Sequence, residues 1–382
     1  MSDGPAKLRI LHVYKDYPPV FGGIEHHVRD LAEAQAAAGH DVTVLVTAVH
    51  GSTTDDVEHG VRVVRVRRVG TAASTPLAPG MVRRLSSARP DITHLHSPYP
   101  AGEAAWLLAG HAPMVLSYHA DIVRQKRLLL LWRPWQRRVL ARAARIFAAS
   151  PAVADSSPTL APWRDKVALV PYGIDADRFT LSAAAVEAAR RAHRPEGADG
   201  VIAFVGRLRY YKGLHVLVDA LARLPRHHAL IVGNGPEGDA LRRQAEGLGV
   251  DERIRWLGDV DDAQLPAVLA AADAYCLPAT ARSEAFGIAM LEAMAAGLPV
   301  VSTELGTGTS WVNLDGVTGR VVPPDDAAAL AEALAACTIP GEAHDRLAAA
   351  ARRRAIDTFS RPAMVAAIEA AYRAVLVERA RS

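Results

Sequence analysis

Glu284 and Glu292 stand in the segment Arg282-Ser283-Glu284-Ala285-Phe286-Gly287-Ile288-Ala289-Met290-Leu291-Glu292, between the apolar run Ala274–Leu277 and the stop Gly297-Leu298-Pro299. A helix is predicted from about Gly287 to that stop. At ~100° per residue, the two acids project within ~80° of each other if helical geometry reaches back to Glu284. Both carboxylates then face one side, where each can accept hydrogen bonds from two vicinal hydroxyls, as in recognition of a sugar. The alternative is one acid at a helix N-terminus and one exposed acid, although the apolar neighbours of Glu292 favour a buried, partnered group.

A second segment, Gly206-Arg207-Leu208-Arg209-Tyr210-Tyr211-Lys212-Gly213, follows the apolar run Val201–Val205. Arg207 and Lys212 are placed to converge on one dianionic group at the end of a strand. The chain has 39 Arg and only 5 Lys, so a coding bias toward arginine does not account for Lys212. The alternative is a solvated basic loop. A third segment follows the run Leu8–Val13: Tyr14-Lys15-Asp16, then Phe21-Gly22-Gly23-Ile24-Glu25 opening a helix to about Ala38. Bare backbone at a helix N-terminus suits a diphosphate, and the competing reading is that Gly22 and Gly23 only make the turn. No G-x-G-x-x-G is present there.

These residues hang on a repeated pattern of short β-branched runs and Ala/Leu/Arg-rich helices. The runs are Leu8–Val13, Asp41–Thr47, Val61–Val66, Ile92–Leu95, Met114–Ser117, Ile146–Ala149 and Val167–Val170, then Val201–Val205, Ala229–Val232, Ile254–Leu257, Ala274–Leu277, Pro299–Ser302 and Arg320–Val322. Such alternation predicts parallel sheets covered by helices. The expected fold class is α/β: two doubly wound, Rossmann-like domains, residues 1–172 and 173–360, facing a central cleft where strand carboxyl ends place ligands. The seam is expected at Pro171–Arg178 and the polar stretch His193–Gly200. The segment 361–382, with Met364, Ile368, Tyr372, Val375 and Val377, is expected to form a helix that crosses the junction and packs back on the first domain.

The composition fits this organisation. The chain has 382 residues, 44 Lys+Arg against 41 Asp+Glu, and 50% hydrophobic residues, which excludes disorder, coiled coil and disulfide-stapled miniature folds. Cys276 and Cys337 fit neither a disulfide framework nor a metal-ligand spacing. No run approaches the ~20 apolar residues of a membrane span, and no secretory signal is visible. An unprocessed, cytoplasmic protein is expected.

Together with Gly233-Asn234-Gly235-Pro236, the motifs Gly22-Gly23, Gly206-Arg207-Leu208, Lys212-Gly213 and Glu284-x7-Glu292 with Phe286-Gly287 resemble those of the family 4 glycosyltransferases, retaining enzymes of the GT-B fold. The resemblance spans about Leu8 to Ala335. It implies that Arg207 and Lys212 hold the donor diphosphate and neutralise the leaving group. It implies that Glu292 binds ribose hydroxyls, and that Glu284 and the backbone of Phe286, Gly287 and Ile288 hold the transferred sugar. His119, in Ser117-Tyr118-His119-Ala120-Asp121, matches the family's sugar-side histidine; without the resemblance it reads as a loop histidine. Gly22 and Gly23 would face the diphosphate, and Gly233, Asn234, Gly235, Asp259 and Val260 would line the base pocket. The pairs Asp175-x-Asp177 and Asp259-x-Asp261 match a metal-binding D-x-D pattern of other folds, but the resemblance implies no metal and no cofactor beyond the nucleotide-sugar donor.

The window from Ile122 to Arg145 carries eight basic residues and no acid, with Trp132 and Trp135. Arg124, Lys126, Arg127 and the two tryptophans suit the surface of an anionic membrane, and the rival is a core helix with a solvated Arg face. With Tyr14 and Asp16 they form the candidate acceptor or membrane surface. A lipid-linked sugar acceptor at the inner face of the plasma membrane is therefore expected, with no nucleic-acid partner, and a monomer or homodimer. The segments Ser117–Gln125 and Ser302–Ser310 are most similar to those of mannosyltransferases that use GDP-mannose. The alternatives are a UDP-sugar donor with a soluble acceptor, an epimerase or phosphorylase of the same fold, and a non-catalytic nucleotide-sugar-binding partner.

Overall fold

A computed structural model describes residues 7–20, 22–73, 75–122 and 126–381. The chain divides into two compact units, residues 1–171 with 362–382, and residues 172–361. The division falls at Pro171/Tyr172, and the stretch 194–199 is a loop inside the second unit rather than a seam.

The first unit is built on a sheet ordered Val167–Leu169, Ala143–Ala148, Met114–Tyr118, Ile92–Ser97, Arg9–Val13, Asp41–Ala48, Val61–Arg67, Thr54–Glu58. All pairings are parallel except the last. Thr54–Glu58 is an exposed, acid-rich edge strand that the apolar pattern does not reveal, because neither of its faces is buried and Val57 is its one apolar residue. A small hairpin of Gly70–Ala72 and Thr75–Leu77 is likewise too short and polar to read from periodicity. The central strand Arg9–Val13 is flanked by Ile92–Ser97 and Asp41–Ala48, so the strand order reverses there, and such switch points present ligand sites at strand carboxyl ends.

The helix Arg361–Arg381 adds Met364, Val365, Ile368, Tyr372 and Val375 to the core of this unit. Val377 is instead 49% exposed, since its position turns away from the buried face. At about 1.5–3 kcal/mol per fully buried large apolar side chain, the helix is a structural part of the unit.

The second unit has a six-stranded, all-parallel sheet ordered Ile254–Gly258, His227–Val232, Gly200–Val205, Ala274–Leu277, Val300–Thr303, Gly319–Val322. Its central strand is buried throughout, as a strand covered on both faces must be. The order reverses at Gly200–Val205, which places the loops after Val205 and after Leu277 side by side at the switch point.

Candidate active site

In the second unit the strand Gly200–Val205 runs into Gly206 and Arg207, a tight turn over Tyr210–Lys212, and the helix Leu214–Ala222. The strand Ala274–Leu277 runs into the loop that carries Glu284, and the helix Ile288–Ala295 follows. The two loops are tied together: the amide of Thr280 donates to the Tyr211 carbonyl at 2.9 Å. Gly213 adopts φ +69°, and a Cβ there would lie 1.8 Å from the Pro278 carbonyl oxygen, so only glycine lets the loops approach this closely.

This approach delivers Lys212 Nζ to Glu284 Oε2 at 2.6 Å, with side chains 14% and 9% exposed. Burial disfavours the charged amine, but Glu284 and Tyr211 outweigh it, and the Lys212 pKa is raised above its ordinary value. Glu284 is held from the other side as well. Thr307 Oγ1 donates to its carbonyl at 2.9 Å, and the Gly308 amide donates to the Ala285 carbonyl at 2.8 Å. Arg207 is exposed on the same loop. Burial, and then the charges of Glu284 and Glu292, push the Tyr275 hydroxyl well above its ordinary pKa, so both carboxylates act on one buried phenol. Glu292 itself is half-buried, and the helix begins at Ile288, so Glu284 belongs to the loop and the helical projection does not extend to it.

The loop Gly233–Gly238 lies against the Gly206–Leu208 backbone. Leu208 N donates to the Asn234 carbonyl at 3.0 Å, and Gly233 N to the Gly258 carbonyl at 2.6 Å. A Cβ on Gly233, at φ +115°, would meet the Gly206 carbonyl oxygen at 2.2 Å. Asn234 and Asp259 are exposed and Val260 half-buried. Asp175 is paired with Arg361.

In the first unit Gly22 caps the helix Gly23–Ala37 with extended backbone, and the Glu25 carboxylate folds back over it: a Cβ on Gly22 would meet Glu25 Oε2 at 2.1 Å. Lys15 Nζ lies 3.8 Å from Glu25 Oε1. His119 is buried, its amide donating to the Ser97 carbonyl at 2.9 Å. The turn that carries it is fixed by Asp121, whose Oδ1 accepts from Tyr118, Ser157 and Thr159 at 2.7, 2.9 and 3.0 Å.

His119 belongs to a buried histidine cluster that sequence reasoning missed. His12 contacts His96 (Nδ1 to Nε2, 3.1 Å), and His96 contacts His119 (Nδ1 to Nε2, 3.2 Å). His12 Nε2 meets Gln35 Oε1 at 2.8 Å. His94 lies between Tyr372 and Ser117, at 2.6 and 2.8 Å. Burial lowers the pKa of His12 to about 4 and of His27 to about 3, and of His94, His96 and His119 well below the ordinary imidazole range. Nitrogens of His12, His94 and His96 lie within 4.8 Å of one another, close enough to be tested as metal ligands. The available sequence signal was His94-x-His96 on a strand, with His12 as the register partner of His94.

The candidate acceptor residues fare unevenly. Tyr14 is 1% exposed and packs edge-on against His119, with ring centroids 6.2 Å apart, so it is a wall of the histidine cluster and not a surface contact. Asp16 is paired with Arg68 at 2.7 Å. Arg124 lies outside the described residues, and Lys126 and Arg127 are placed only as the start of the helix Lys126–Arg142. Further along that helix Leu130, Leu131 and Trp135 are 62%, 74% and 41% exposed, beside exposed Arg133, Arg137, Arg138 and Arg142, while Trp132 is half-buried. Among the described residues no helix is long and apolar enough to cross a membrane.

Two doubly wound parallel sheets, each with its chemistry-bearing loops at the switch point, define a GT-B glycosyltransferase architecture. Sucrose-phosphate synthase from Thermosynechococcus elongatus has this fold, with a TM-score of 0.80 and 21% identity over 97% of this chain and 100% of that one. So does HepE of Anabaena, solved with UDP and glucose, at a TM-score of 0.77 and 22% identity over 95% and 98% of the two chains.

Residues 21–178 match the family model described as Glycosyltransferase Family 4, and residues 185–354 that described as Glycosyl transferases group 1. The O-antigen chain mannosyltransferase C of Escherichia coli is 35% identical over 97% of this chain and 99% of its own length. The D-rhamnosyltransferase WbpZ of Pseudomonas aeruginosa is 38% identical over 86% of each. A phosphatidyl-myo-inositol mannosyltransferase of Mycobacterium leprae is 34% identical over 82% and 83%. The chain belongs to the family 4 glycosyltransferases.

Proposed function

We propose that this glycosyltransferase moves mannose from GDP-mannose to a hydroxyl of a lipid-linked sugar, with retention of configuration and without a metal ion. The reading is carried by the buried Lys212–Glu284 pair at the switch point of the second unit, a cation and a carboxylate 2.6 Å apart. The chain's similarity to mannosyltransferases over most of its length supports the choice of sugar.

The bond from the anomeric carbon to the diphosphate oxygen breaks, and the nucleoside diphosphate leaves with the electron pair. Arg207 and Lys212 take up its growing charge, a stabilisation strongest where water is excluded. The acceptor hydroxyl forms the new bond on the face the diphosphate leaves, and its proton passes to a departing phosphate oxygen. Glu284, with the backbone of Phe286, Gly287 and Ile288, holds the sugar, and Glu292 the ribose. Gly233, Asn234, Gly235, Asp259 and Val260 line the base site, and Gly22 and Gly23 bind the diphosphate. His119 acts on the transferred sugar. The exposed apolar and basic side chains of the helix Lys126–Arg142 hold the enzyme on an anionic membrane at the cytoplasmic face.

A thermal-shift screen of GDP, UDP, ADP and their sugar conjugates tests the donor, because a ligand that binds only the folded state raises its stability. Selective stabilisation by GDP and GDP-mannose is expected. A selective response to uridine compounds removes the GDP-mannose assignment, and no response to any nucleotide removes the catalytic reading of the site.

A further inference from the structure

The histidine cluster has a direction. Tyr372 Oη lies 2.6 Å from His94 Nδ1, a separation inside the range of O–H donor bonds and below that of N–H donor bonds, so the phenol donates. Having spent its proton, the phenol oxygen accepts from Gln35 Nε2, 3.5 Å away. The amide is thereby oriented, and its Oε1 faces His12 Nε2 at 2.8 Å. An amide oxygen only accepts, so His12 carries its proton on Nε2 and a lone pair on Nδ1.

The same logic passes along the chain. His12 Nδ1 accepts from His96 Nε2–H at 3.1 Å, which leaves a lone pair on His96 Nδ1. His96 Nδ1 then accepts from His119 Nε2–H at 3.2 Å, between rings only 4° from parallel. In the other branch His94 Nε2–H donates to Ser117 Oγ at 2.8 Å. Every nitrogen named has a donor or an acceptor role consistent with neutral rings. If the amide of Gln35 were turned over, each proton would move to the opposite nitrogen and His119 would present N–H at Nδ1.

We propose that Gln35, His12 and His96 form a positioning relay that fixes His119 as its Nε2–H tautomer, so that its Nδ1 accepts a hydrogen bond and does not donate one. Tyr372, from the C-terminal helix, sets the sense of the relay through Gln35. The inference rests on the reading above that His119 acts on the transferred sugar. In that role an acceptor nitrogen takes the hydrogen of a sugar hydroxyl and adds no positive charge beside the anomeric carbon. The relay places three buried positioning residues behind one catalytic side chain, as second partners commonly do for a working imidazole.

Long-range 1H–15N spectra of the full-length protein labelled in histidine read the tautomer directly, with His119 assigned by the signals lost in His119→Gln. The Nε2–H pattern is expected for His12, His96 and His119 near neutral pH. Gln35→Met removes the amide at similar volume, and the single tautomer at His119, three hydrogen bonds away, is expected to be lost. Sugar transfer in that variant then falls by at least about tenfold in kcat, as for a mis-set imidazole tautomer, while nucleotide affinity holds. Should Gln35→Met not fold, Tyr372→Phe tests the same link from the other side of the amide. An Nδ1–H signal from wild-type His119, an unchanged tautomer in the folded variant, or a stoichiometric metal ion on His12, His94 and His96 overturns the relay. The spectra need no donor or acceptor, so absence of transferase activity would overturn the functional reading and leave the tautomer result standing by itself.

Discussion

Replacing Lys212 by Met removes an ammonium group and keeps most of the side chain's volume. Its partner Glu284 is 9% exposed, and the pair is joined at 2.6 Å, so the carboxylate is left without its cation in a nearly dry site. Breaking a buried pair from one side costs about 3–5 kcal/mol, far above the ~0–1 kcal/mol of a surface pair. The double variant Lys212→Met/Glu284→Gln removes both charges and is expected to regain most of that stability. Turnover behaves differently. Lys212 is assigned to the departing diphosphate, and loss of one such stabilising group costs roughly 10²–10³ in kcat. The double variant is therefore expected to be stable and still slow. Denaturant unfolding followed by tryptophan fluorescence includes the relevant region, since one of the six rings, Trp311, lies 6.2 Å from Phe286, two residues beyond Glu284. Sugar transfer at saturating donor reads kcat. A stability cost below about 1 kcal/mol in Lys212→Met would show that the pair is solvated like a surface one. Wild-type kcat in either variant would remove Lys212 from the mechanism.

The histidine cluster makes the first unit acid-sensitive. His12 and His27 are held neutral with pKa values of about 4 and about 3, against 6.5 for an ordinary imidazole. The unfolded chain thus binds more protons below pH 6.5, and the stability from burying neutral rings is whole above that pH and lost as pH falls toward 4. For these two residues the loss between pH 7 and pH 5 is about 2 kcal/mol each. Denaturant titrations at the two pH values check it, and a fall of less than about 1 kcal/mol refutes the burial of neutral rings. For the helix Lys126–Arg142, sedimentation with phosphatidylserine vesicles is expected at low salt and lost at about 0.5 M, with weaker binding in Leu131→Ser and Arg137→Glu. Equal sedimentation with neutral vesicles would exclude an anionic docking face.

The β-branched runs were legible because strands buried on both faces leave continuous apolar segments, and all thirteen appear in the two sheets. The edge strand Thr54–Glu58 was not, since an exposed strand carries no hydrophobic period. For the site, Lys212 and Glu284 could be picked out by residue type and spacing. That they neutralise each other could not, because their contact depends on Gly213 letting one loop approach Pro278. Tyr14 illustrates the reverse error: a residue at a strand end reads as surface, yet the strand's next turn folds it over His119. The histidines were hidden by their number, 15 in the chain. Only the register that sets His12 beside His94, and the helix that returns 278 residues later with Tyr372, turn them into one network.

The two units solve opposite electrostatic problems. In the second, burial disfavours the charge on Lys212, and Glu284, with Tyr211, more than restores it. In the role proposed for Lys212, an arriving diphosphate would exchange one anion for another against the same cation, whose desolvation has already been met in folding. Under the same proposal Glu284, once released from the ammonium, would have its acceptor lone pairs for sugar hydroxyls, which a carboxylate tightly bound to lysine would lack. In the first unit the role proposed for His119 calls for the absence of charge: burial, and then His27 and Lys15, disfavour its protonation. In the transfer proposed above, a cation there would repel the positive charge that develops at the anomeric carbon as the diphosphate departs. A neutral ring that accepts a hydrogen bond would orient the sugar without that repulsion, so the proposed mechanism keeps positive charge for the leaving group and withholds it from the carbon it leaves.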